Sequence, residues 1–153
     1  MVYDNTFQSL ADRVEGLATV ALAQQGLRHW YGVTEASEAA QDLAGLRRMQ
    51  SEGVLRVWTG ASHGTIWGSP YRNWLARVWH DCVHLKLGAD FDAYGERDVA
   101  MYQAHDTQGL TALERGAVWA DTFGQSEYKE RYAEFPSNQI QFVRSYMLSG
   151  YRL

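Results

Sequence analysis

The chain has 153 residues, 46% of them hydrophobic and 13% aromatic, the size of one domain with its own core and too apolar for a disordered chain. Its 14 Lys and Arg against 18 Asp and Glu give a formal net charge of −4 with no basic block, which removes the electrostatic basis for binding duplex nucleic acid. Cys82 stands alone, so no internal disulfide can form, Met1 to Phe7 lacks the order of a signal peptide, and no apolar run spans a bilayer. A cytoplasmic protein with no membrane span is expected.

Leu10, Val14, Leu17, Ala18, Ala21 and Leu22 recur at helical spacing and predict a first helix over roughly 4–29, weakened at Gly16 and Gly26. A second is predicted over 34–50, with Thr34 as N-cap and Glu35 and Glu38 in its first turn. Val54 to Trp58 alternates like a strand, and the glycine-punctuated stretch 59–68 ends in another β-type run, so a small β-hairpin or ordered loop is expected near 54–68. Ser69-Pro70 opens a third helix to about Leu87, where Gly88 supplies a left-handed stop. A fourth is predicted from about Glu96, a fifth over 111–132, and a sixth after Pro136. With no repeat or linker, residues 1–153 read as one metal-binding, mainly α domain of five to six helices. The stretch from Ile140 to Leu153 is expected to pack on that core or on a second copy of the chain.

The chemistry concentrates in Trp79-His80-Asp81-Cys82-Val83-His84. His80 and His84, four apart on a helix, project from one face one turn apart, which is how a helix offers two nitrogens to one metal. Trp74, Leu75, Val78 and Val83 make this helix strongly apolar, and polar groups inside such a helix need partners. An antiparallel return after Gly88 would bring Glu96 back to the pair. Two imidazoles and one carboxylate leave a tetrahedral ion one open position, the pattern of catalytic sites. Asp81, about 100° around the helix from His80, is a fourth ligand or orients an imidazole.

His80-Asp81-x-x-His84, eleven residues and then Glu96 resembles the HDxxH-x11-E zinc motif of a ubiquinone-biosynthesis protein family, over about 20 residues. That resemblance implies a metal site built alike, with His80, Asp81, His84 and Glu96 as ligands, and carries no lipid substrate with it. The longer order HD-x-x-H, Gly95-Glu96, His105 and Asp121 before Gly124-Gln125 resembles uncharacterised phage-encoded domains that read HD, GE, H and ET-x-GQ. It implies a phage or prophage origin and no particular activity.

Asp121 is the one charge in an apolar stretch, 117–124, and is costly there unless something cationic meets it, so a place beside the metal as proton acceptor is expected. Its alternative is a buried salt bridge with an arginine. His105, nine residues past Glu96, falls on the opposite side of an unbroken helix. His63 fits the rim of a pocket, and His29 has no assigned place. Cys82 reads as a small buried hydrophobe rather than a nucleophile, and the tryptophans as core.

The expected function is a divalent-metal-dependent hydrolase acting on a small molecule through a metal-activated water, with Asp81 or Asp121 taking the proton. Zinc suits the ligand set, with iron or manganese as alternatives. A rival is an HD-type nucleotide phosphohydrolase using His63 or His29 upstream and Asp121 downstream. A non-enzymatic rival is a phage-encoded binding or inhibitor protein whose metal only staples the fold.

Overall fold

A computed structural model describes residues 5–153. Its elements run α1 (Gln8–Gln24), β1 (His29–Val33), α2 (Leu43–Glu52), β2 (Val54–Trp58), α3 (Pro70–Leu87), α4 (Ala93–Met101), α5 (Ala112–Trp119), α6 (Gln125–Tyr132) and α7 (Gln139–Leu148). A π-helical turn (Tyr102–Asp106) prolongs α4, and another (Ala120–Gly124) joins α5 to α6 in one continuous rod. Counted as rods, the described residues hold six helices and one two-stranded sheet, so the mainly α, single-domain expectation holds. No described helix is long and apolar enough to cross a membrane. The expected start of the first helix at residue 4 lies outside the described residues.

The hairpin expected near 54–68 is not formed. β2 pairs with β1, in parallel and in the register His29↔Val54 to Val33↔Trp58. A parallel pair needs a crossover, and α2 is that crossover. The first helix therefore stops earlier than predicted. Gly26 takes φ +68°, and the amides of Arg28 and His29 turn to the Gly53 carbonyl at the entrance of the sheet. Thr34 is not an N-cap either. Its carbonyl accepts from Trp58 Nε1 at 3.2 Å, which holds it in the strand's exit, and α2 starts eight residues later on Asp42, whose carboxylate accepts from the Gly45 amide at 2.7 Å. Thr65, Ile66 and Trp67 read as a strand only because they are apolar; they are a buried plug in an irregular loop.

α3 lies at the centre. It packs on α1, on α2 and on α4, and contributes Leu75, Val78, Trp79, Cys82 and Val83 to the core. α1 answers with Leu10, Val14 and Ala18, β2 with Leu55 and Val57, and the α5–α6 rod with Ala117 and Val118. Each large aliphatic side chain closed off from water there contributes about 1.5–3 kcal/mol. α7 docks on the same core through Val143 and Tyr146 rather than standing free for a second copy.

Candidate metal centre

α3 begins on a Ser69 cap with Pro70 in its first turn and ends at Gly88, whose φ of 63° reverses the chain. The amide of Ala89 closes on the His84 carbonyl at 3.1 Å. The chain then presses α4 against this turn so closely that a Cβ on Gly95 would stand 1.8 Å from the Asp90 carbonyl oxygen. Glycine at 95 is therefore what lets the first turn of α4 approach. α4 is capped by Asp92 on the Gly95 amide at 2.7 Å, three residues earlier than the predicted start, and this puts Glu96 in its first turn facing α3.

Three side chains converge as a result. His80 Nε2 lies 3.1 Å from Glu96 Oε2, His84 Nε2 lies 3.4 Å from Glu96 Oε1, and the two Nε2 atoms are 3.2 Å apart. His80, His84 and Glu96 form a group that can hold one metal ion, the sole such His/Cys/Asp/Glu group among the described residues. Donors about 2.0–2.1 Å from a tetrahedral ion stand about 3.3–3.4 Å apart, close to the 3.2 Å between the two Nε2 atoms, and one ligand atom from each of the three residues lies within 4.8 Å of the others.

The outer nitrogens fix which atoms face inward. His84 Nδ1 donates to the Ala89 carbonyl at 2.9 Å, so a neutral His84 turns its Nε2 lone pair into the cluster. His80 Nδ1 donates to Gln103 Oε1 at 2.9 Å and aims its Nε2 at the same point. Two nitrogens and a carboxylate that meet nose to nose repel unless positive charge sits between them. A proton on His80 supplies part of that charge; a divalent cation would satisfy all three atoms.

The electrostatics follow from this packing. Burial alone would depress the His80 pKa, but the charge of Glu96 and its hydrogen bond reverse this and raise it to about 9. Burial would raise Glu96, yet the two imidazoles hold it well below the usual carboxylate range. His84 is wholly enclosed and has the Phe91 ring 4.6 Å from its own, whereas His80 and Glu96 stay partly open to a cleft.

Asp81 is half-buried beside the cluster, and its carboxyl oxygens are not in the converging group. Burial pushes its pKa up to about 6, against the pull of His80 and His84. Asp121 comes from the opposite wall, on the π turn between α5 and α6. It lines one cavity with His80, Glu96, Gln103 and Arg77. Its carboxylate accepts from Trp67 Nε1 at 2.9 Å and from Gln125 Nε2 at 2.7 Å, and burial raises its pKa to about 6. No arginine pairs with it: Arg77 donates to the carbonyls of Trp58 and Ala61 and lies over the Trp58 ring at 5.2 Å.

His105 is exposed on the π turn after α4, and its carbonyl, not its ring, is engaged, accepting from Arg115 at 2.9 Å. His63 and His29 are likewise exposed, and neither joins the cluster. Cys82 is buried, with its thiol pushed up to about 12, the state of an inert core residue.

Sequence reasoning missed Gln103, which is 1% exposed and spends its carbonyl on His80. The available signal was its place seven residues past Glu96, two turns along the same face of one helix. It also missed the π turns. Gln103 sits in one and Asp121 in the other, and each turn inserts a residue that redirects its helix at the cleft. The chain matches no family model, no curated protein and no solved structure.

Proposed function

We propose that this chain is a divalent-metal-dependent hydrolase, with His80, His84 and Glu96 as metal ligands and Asp121 as proton acceptor. The observation that carries the reading is the convergence of two imidazoles and one carboxylate, which bring one ligand atom each within 4.8 Å of one another, with outer hydrogen bonds from both Nδ1 atoms that turn the two Nε2 atoms inward. Zinc is the ion that two imidazoles and one carboxylate suit best, and it would lower the pKa of a water in its open position to about 7.

The chain's own residues divide the remaining work. His84, wholly enclosed, is the anchor, while His80 and Glu96 keep one side toward a cavity of about 270 Å³. Asp121 faces that cavity with a raised pKa of about 6, suited to receive a proton near neutrality and release it again. Trp67 and Gln125 hold its two oxygens in place. A metal that only staples a fold is fully enclosed by protein ligands, so the open side of this group favours catalysis over a purely structural role. The HD-type alternative gains no upstream histidine, because His63 and His29 are both exposed and away from the group.

Elemental analysis of purified wild type beside His84→Ala tests this reading. About one equivalent of zinc, iron or manganese in the wild type and none in the variant is expected. A folded wild type that takes up no divalent metal would falsify it.

A further inference from the structure

The cavity of about 270 Å³ that holds Asp121 does not stand alone. A second, of about 710 Å³, opens on its outer side, and the two share Arg77, His80, Glu96, Ser126, Lys129 and Phe135. The cleft is therefore two-lobed, with the open side of the metal group at its waist. The outer lobe has an apolar side of Ala39, Ala40, Val57 and Phe91, and the only charges it adds to the waist are the carboxylates Asp81, Asp92 and Glu130.

The waist is different. It holds both cations of the cleft, and they are mounted on one pair of rings. The Arg77 guanidinium lies 5.2 Å over Trp58, Lys129 Nζ lies 4.7 Å over Phe135, and the two rings stack at 6.3 Å with 29° between their planes. Neither cation forms an ion pair with a carboxylate among the described residues, whose arginine pairs involve Arg13, Arg56 and Arg72. In a chain with a net charge of −4, two such cations face the same waist as a candidate divalent-ion site.

We propose that this waist binds the phosphoryl group of a small phosphate ester, which makes the hydrolysed bond a P–O bond; the proposal rests on the metal reading above. A tetrahedral dianion presents three acceptor oxygens, enough to meet the ion, the Lys129 ammonium and the Ser126 hydroxyl together. A neutral ester or amide would leave the Lys129 ammonium with no anion at ion-pair distance, whereas Arg77 already feels the charges of Asp121 and Asp81. The outer lobe takes the organic part of the ester. In the reaction the water oxygen bonds to phosphorus as the ester P–O bond breaks. One water proton ends on the leaving alcohol and the other on inorganic phosphate.

Inorganic phosphate titrated by calorimetry into zinc-loaded protein tests the assignment. Wild type is compared with Lys129→Glu and Lys129→Arg, and zinc is counted in every sample. One phosphate bound by wild type, an affinity at least about tenfold lower in Lys129→Glu and largely kept in Lys129→Arg, with zinc unchanged in all three, is the expected result. If wild type carries zinc but takes up no phosphate, or if Lys129→Glu loses less than that, the phosphate assignment is wrong and the metal centre stands. If wild type carries no zinc, the metal reading fails and takes this proposal with it.

Discussion

The two walls of the cleft each present a carboxylate, and they treat it in opposite ways. On the α3–α4 wall Glu96 meets two imidazoles, whose charge and hydrogen bonds outweigh its burial and hold it ionised far below the usual range. On the α5–α6 wall Asp121 hydrogen-bonds only to neutral donors, the Trp67 indole and the Gln125 amide, and feels the charges of Arg77 and His80 without a direct contact, so burial prevails and its pKa rises to about 6. Both groups are side-chain carboxyls within one cavity. What separates a ligand from a proton acceptor here is whether the groups in direct contact carry charge or only dipoles.

The comparison breaks most decisively at Glu96. Glu96→Gln is expected to weaken zinc binding on the order of 10³-fold, read by competition with a chelator. In the metal-free protein the same change should let burial govern His80, so that its pKa falls from about 9 to 6.5 or lower in an NMR titration. A His80 that still titrates near 9 would show that Glu96 is not what raises it.

A smaller effect is expected at Gln103. Gln103→Leu leaves His80 Nδ1 without an acceptor and should cost about 10–100-fold in zinc affinity, whereas Gln103→Glu, which keeps an acceptor oxygen, should retain it. Equal affinities in the two variants would mean that Gln103 serves packing alone.

Zinc affinity should also rise with pH, about tenfold per unit, because the ion must displace the proton that His80 carries below pH 9, and the slope should flatten above that. A flat profile from pH 6 to 8 would mean that no proton leaves the cluster.

The smallest effect belongs to the other wall. Asp121→Asn should leave zinc binding within about threefold of wild type, since Asp121 is outside the converging group. Its signature is in stability. A folded pKa of about 6, raised from 3.8, means that the folded state keeps a proton the unfolded chain has lost. That contribution is complete below pH 3.8 and is lost as pH rises through 6. Metal-free wild type should therefore lose about 1–2 kcal/mol relative to Asp121→Asn between about pH 4 and 6, measured by urea unfolding at each pH.

The helices on either side of the site were legible residue by residue. Ser69-Pro70 and Gly88 bound α3 where the sequence places its ends, because a cap, a first-turn proline and a left-handed glycine act locally. The region before it was not. Thr34 resembles a cap, but the Trp58 indole 24 residues away claims its carbonyl, and the partner of β2 lies on the far side of a helix rather than across a turn. Strand pairing depends on contacts between distant segments, and nothing in the alternation of Val54 to Trp58 names the partner.

The sequence by itself determined the mainly helical single domain, the two imidazoles on one face of α3, and the return of Glu96 toward them. Periodicity, capping and a glycine stop are read within a few residues of where they act. Only the tertiary structure decided the rest: that Asp81 turns aside from the group its neighbours form, that Gln103 and Ala89 fix the two tautomers, and that Asp121 arrives from another rod to face them. Those outcomes depend on how whole helices pack, on the Gly95 contact that seats α4 against Asp90, and on two π turns that shift the face each rod presents. A side chain's direction in space is set by its backbone's neighbours, and those neighbours come from distant parts of the chain.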